Sequence, residues 1–175
     1  MELSPMRKAM ALLIFAVISI FSCAEASAQY NRGDKAFGVR GGFESRNSSA
    51  VAGASFEYTL SRHLRLAPEF DIIFRNKNMD GGSFSFNVDF PLQLAGDRAA
   101  FYPMAGLGYR SWGIHNKDYE TMKDVTTRRN SFALNLGCGA EMSVSQTCKI
   151  SLEAVYGLQR HFPGVQILAG VSFVF

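Results

Sequence analysis

Three groups of residues in this chain have types that could do chemistry: the histidines, the cysteines and a regular series of charged side chains. His63, His115 and His161 are the only imidazoles. A nucleophile site needs a hydroxyl or thiol, a base and an orienting acid in register. A Ser and His two apart on one strand are missing at all three histidines. His115 with Asp118 or Glu120 is the one acid–base constellation left, on a segment that reads as a solvated loop. Cys23, Cys138 and Cys148 have no spacing with His that would bind a metal. No catalytic residue, cofactor or metal site is therefore expected.

The charged series is more regular. Arg40, Glu44, Glu57, Arg65, Glu69, Asp71, Arg75, Asp89, Arg110, Glu141, Lys149 and Glu153 recur on the polar side of alternating segments. Such groups either line a path for ions or neutralise one another in a packed polar core. A barrel of eight strands is only wide enough to be filled by its own side chains, which favours the packed core. The glycines on the same side, including Gly38, Gly106, Gly139 and Gly157, make room for long side chains.

The elements that place these charges are strands. Runs of about ten residues alternate apolar and polar at 36–44, 50–60, 64–74, 84–94, 101–112, 131–142, 148–158 and 165–175. The clearest sets Phe84, Phe86, Val88, Phe90, Leu92 and Leu94 against Ser85, Asn87, Asp89 and Gln93. About nine to eleven residues is what a tilted transmembrane strand needs, and eight is the smallest usual closed barrel. Short connections at 61–63, 95–100 and 143–147 alternate with longer ones at 75–83 and 113–130. That pattern suits short periplasmic turns and longer outer loops.

In this up-and-down order the aromatics fall into two bands, as interfacial anchoring requires. Phe43, Phe74, Phe84, Tyr109, Phe132 and Tyr156 lie towards the outer end. Phe37, Tyr58, Phe90, Phe101, Phe173 and Phe175 lie towards the periplasmic end. Pro68 and Pro103 are in tension with a ring that has no edges, so each should remove a ladder bond or mark a bulge.

Residues 1–28 read as a signal peptide, with Arg7 and Lys8 before an apolar core and Ala26-Ser27-Ala28 at the cleavage site. Cys23 permits the alternative of a lipoprotein leader. Residues 29–175 then form one barrel domain. Cys138 and Cys148 are expected to be free, lipid-facing thiols, because a hairpin turning at 143–147 separates them. The net charge of +3 is too mild for a nucleic-acid binder. Arg32-Gly33-Asp34 falls just before the first strand, on the periplasmic side, and is read as a chance tripeptide.

With these strands in place, the mature chain resembles the small outer-membrane β-barrels, the OmpX-like and OmpA transmembrane-domain-like family of porin-type outer-membrane proteins. The segment Gly170-Val-Ser-Phe-Val-Phe175 is similar to the C-terminal signal read by the outer-membrane assembly machinery, although Leu168 stands where that signal usually has a polar residue. The resemblance implies an all-β, eight-stranded antiparallel up-and-down transmembrane barrel in the outer membrane, with both termini periplasmic. Its members differ in role. A structural or surface-interacting monomer with a plugged polar interior and no catalysis is the leading expectation. A narrow channel for ions or small solutes, a lipid A modifying enzyme and a soluble lipocalin-like binder are the alternatives. Outer-membrane lipid and lipopolysaccharide are the expected partners, through Arg75, Lys77, Lys117, Arg128, Arg129 and Arg160.

Overall fold

The computed structural model describes residues 32–94, 98–117, 124–160 and 162–175, with nothing described for the side chains at 117 and 124. The leader expected at 1–28 lies outside the described residues. Eight strands follow in order: β1 (Lys35–Glu44), β2 (Ser49–Ser61), β3 (Leu64–Asn76), β4 (Met79–Asp89, continued by Leu92–Gln93), β5 (Ala99–Lys117), β6 (Asp124–Ser143), β7 (Cys148–Gln159) and β8 (Gly164–Val174). Each pairs antiparallel with its neighbours in sequence, and β1 pairs with β8 to close the ring. Lys35 and Phe175 exchange backbone hydrogen bonds, so both described termini lie at one end of the barrel.

The side chains are inverted relative to a water-soluble barrel. Along β4, Ser83, Ser85, Asn87 and Asp89 are buried while Phe84 and Phe86 are exposed. Along β3, Arg65, Glu69 and Asp71 are buried while Phe70, Ile72 and Phe74 are exposed. Leu107 and Phe132 on the outer wall are 67% and 82% exposed. Charge inside and hydrocarbon outside suit lipid as the surrounding solvent and contradict a lipocalin-like arrangement.

Parts of the expected aromatic bands stand as rows on the outer wall, joined by Phe70 and Phe56. Phe70, Phe84, Tyr109 and Phe132 are successive cross-strand partners on β3–β6, and the Tyr109 and Phe132 rings meet edge to face at 5.5 Å. Near the termini Phe37 pairs with both Phe56 and Phe173.

Both prolines interrupt the ladder on one side only. Pro68 keeps its partner Phe86 on β4, but pairing with β2 lapses at 56–57 and resumes in the same register. Pro103 keeps Cys138 on β6, and opposite it β4 breaks at 90–91 into its two segments, again without a change of register. Phe90 N–H still donates to Pro103 O at 3.0 Å. Each missing N–H therefore costs a local gap rather than a slipped strand.

Two expected loops are mostly strand. The 75–83 connection is a two-residue turn, Lys77-Asn78, with φ of 45° and 62°, the left-handed pair of a type I′ hairpin. The 113–130 segment continues β5 to Lys117 and resumes β6 at Asp124. β6 has 20 residues against 10 in β1, about 65 Å of strand at ~3.3 Å per residue, which extends well past a ~30 Å hydrocarbon layer even when tilted. Polar alternation on both faces of this extension hid its strand character. Cys138 and Cys148 are free thiols, and Cys138 pairs with Ala154 across β7, not with Cys148.

If the wall faces lipid, Leu136→Arg should lower stability by about 2–4 kcal/mol in equilibrium unfolding from liposomes. A change near zero would contradict burial of this face in hydrocarbon.

Candidate functional site

Two regions concentrate functional side chains: the lumen and the rim distal to the termini. The lumen is built around three arginines. Arg40 donates through Nε and Nη2 to both oxygens of Asp71, each at 2.8 Å, and lies 2.7 Å from Glu69 and 3.2 Å from Glu153. Arg65 meets Asp89 at 2.9 Å, Glu57 at 2.9 Å and Glu141 at 2.6 Å, while Lys149 shares Glu141 at 3.3 Å. Arg110 is held more loosely, 3.4 Å from Glu44 and 3.3 Å from Gln166 Oε1.

Neutral donors join these layers. Tyr102 donates its hydroxyl to Glu153 at 2.7 Å, and its ring lies 4.6 Å below the Arg65 guanidinium. Asn87 donates to Glu69 at 2.7 Å, Ser83 to Asp71 at 3.2 Å and Ser172 to Glu57 at 3.0 Å. Glycine is required where side chains cross the barrel. A Cβ on Gly139 would run into the Tyr102 ring, and one on Gly157 would stand 2.7 Å from the Arg110 guanidinium carbon.

Nearer the rim, Trp112 is completely buried and packs inside the ring on Val51, Ile73 and Leu168, with Met79 and Phe162 against the cluster. Leu168, where the sequence departs from the expected assembly signal, is thus part of an apolar cluster inside the ring. Neither Trp112 nor Tyr102 stands out in the sequence as inward, because aromatic residues there signal the lipid face. Their even-numbered parity with Arg110 on β5 is the signal that finds them.

At the rim the six expected basic residues separate. Arg75 is exposed at the end of β3, beyond the register shift at 73–76, so it leaves the lumen that its alternation predicts. Lys77 is exposed on the turn, Arg160 on the β7–β8 connection, and Arg129 opposite Trp112 on β6. Lys117 ends β5 and its side chain lies outside the described residues, as do Asp118, Glu120 and His161. Of the six, Arg75 and Arg128 line one cavity together, a trough of about 440 Å³ on the outer wall of β3–β6.

The trough also holds Asp80, His115 and Thr126, two of which the loop assignment concealed. His115 Nδ1 is 3.0 Å from Thr126 Oγ1, and Nε2 is 3.2 Å from Asp80 Oδ1 without hydrogen-bond alignment. The Thr126 hydroxyl, the His115 imidazole and the Asp80 carboxylate thus stand in line, but Nε2 is not aligned for a hydrogen bond with the carboxylate. Among the described residues no group of three or more His, Cys, Asp or Glu is placed to hold a metal ion.

A closed ring with paired charge inside and exposed hydrocarbon outside defines a transmembrane β-barrel. Its eight-stranded form is shared with solved outer-membrane proteins. The N-terminal β-barrel domain of OprF from Pseudomonas aeruginosa superposes with a TM-score of 0.67 at 17% identity, covering 82% of this chain and 98% of that one. Neisserial surface protein A gives 0.61 at 14% identity, covering 81% and 95%. Ail, the attachment invasion locus protein of Yersinia pestis, gives 0.55 at 12% identity, covering 83% and 100%. These likenesses show the fold, that of the small outer-membrane barrels the sequence resembles. No protein-family model matches the chain, and no curated protein sequence matches it.

Arg40→Met should cost about 3–5 kcal/mol, because Asp71, Glu69 and Glu153 lose their shared cation in a dry interior. Urea unfolding in detergent micelles measures this. A loss no larger than that of Arg160→Met would show the lumen network to be energetically idle.

Proposed function

We propose that the chain is an integral outer-membrane barrel of structural or surface-interacting type, with a plugged interior and no catalysis. The observation that carries this reading is the stack across the lumen: Arg65 and its carboxylates, Arg40 and its carboxylates, then Trp112 with its aliphatic partners. A permeating ion would have to displace a buried salt bridge and pass the apolar side chains around Trp112, and neither is favourable. The long β5–β6 hairpin and the basic rim leave surface contact as the role the geometry suits. Both termini are placed in the periplasm on this reading, and β8 carries the segment that the assembly machinery would bind. Lipopolysaccharide and outer-membrane lipid are the proposed partners of the rim.

The refolded protein should run as a compact band on an unheated detergent gel and shift on boiling. In planar bilayers it should give no stable single-channel steps. Reproducible unitary conductance would replace the plugged barrel with a narrow channel. An altered lipid A mass profile on overexpression would replace it with an enzyme.

A further inference from the structure

The trough beside Arg75 and Arg128 has features that a generic solvated rim lacks. Its floor is glycine: Gly82 and Gly113 point towards the outer wall, where neighbouring strands carry Phe74, Phe84 and Tyr109. The missing side chain at Gly82 leaves a depression in an otherwise bulky surface, while the Asp80 carboxylate covers Gly113. One wall is hydrocarbon, from the half-exposed Ile72 and Phe74. The other is polar, from Arg128 and Thr126. The depression begins within one or two residues of the aromatic row, so it opens sideways at the level where acyl chains end and headgroups begin.

Its charge is positive and available. Among the described residues neither Arg75 nor Arg128 has a carboxylate at ion-pair distance. Among the described residues the one acid lining the trough, Asp80, already faces His115. Two guanidinium groups with unfilled donors, next to an apolar ledge, complement a ligand with an anionic head and a hydrocarbon tail.

We propose that this trough binds the phosphate-bearing headgroup of one anionic membrane lipid from the surrounding leaflet, with Arg75 and Arg128 on the phosphate and the acyl chain along Ile72 and Phe74. A hydroxyl from Thr126 and the Asp80–His115 pair close the polar end. This rests on the membrane-barrel reading above. It goes beyond that reading by naming one lateral site and the residues that discriminate between lipids.

The test uses the refolded chain in a neutral detergent, mixed with phosphatidylglycerol and phosphatidylcholine, with bound lipid counted by native mass spectrometry. Wild type should retain phosphatidylglycerol over phosphatidylcholine by roughly tenfold, the scale of charge-assisted hydrogen bonds. The double variant Arg75→Gln, Arg128→Gln should lose that preference. The double variant Arg62→Gln, Arg98→Gln, which removes the same exposed charge at the end of the barrel near the termini, should keep it. Equal loss in both variants would show diffuse attraction and overturn the site, as would retained preference in the first. Displacement of the lipid by excess inorganic phosphate would make the site one for free phosphate, not lipid. A heat-modifiable band for every variant separates the outcomes: a wild type that never shifts refutes the barrel itself, while a shifting wild type without preference refutes only the trough.

Discussion

Hydrocarbon offers a peptide group nothing to hydrogen-bond, and every other feature of this chain is a response to that fact. In water an edge strand is merely a risk of aggregation; in lipid each unpaired N–H or C=O costs several kcal/mol. The ring must close, and β1 and β8 close it through nine residue pairs from Ala36–Val174 to Glu44–Gln166. Pro68 and Pro103 are tolerable because each opens a gap on one side while the register continues across it. Once the backbone is satisfied within the ring, the side chains need only sort by face.

That sorting creates the problem the lumen solves. Polar residues that cannot face lipid are forced into a space too narrow for bulk water, so they must satisfy one another. Arginine suits this role because its planar fork reaches several acceptors at once. Arg40 and Arg65 each serve three carboxylates. The carboxylates of the lumen still outnumber its cations, and neutral donors such as Asn87, Ser172 and Tyr102 serve three of them, while Asp89 Oδ1 has no hydrogen-bond partner. The interior is consequently a network of ion pairs and hydrogen bonds that runs across the ring.

Much of this was legible from residues alone, because a period of two is a strong signal when one face is uniformly greasy. The eight strands, the free cysteines, the two aromatic rows and nearly all the lumen charges could be read that way. What escaped follows from the same logic. Residues 113–117 and 124–130 are strands beyond the hydrocarbon layer, where neither face needs to be apolar, so alternation disappears and they resemble a loop. Trp112 and Tyr102 point inward although their type suggests the lipid wall. The trough needs outward glycines from β4 and β5 beside charges from β3 and β6, and only the cross-strand register brings those together. Arg75 was misplaced because the hairpin register shifts just before it.

The seam between β1 and β8 also sets the order of events by which this molecule forms. Its pairs join residues at opposite ends of the sequence, so the contact that completes the ring is also the one of greatest loop-closure cost. Until Val174 finds Ala36, β1 and β8 present two bare edges that lipid cannot solvate. Partial insertion is then unfavourable at every stage, and the chain has reason to enter the bilayer and close as a single cooperative event. A pairing that looks like a static weld is, in time, the condition on which every other pairing in the ring becomes permanent.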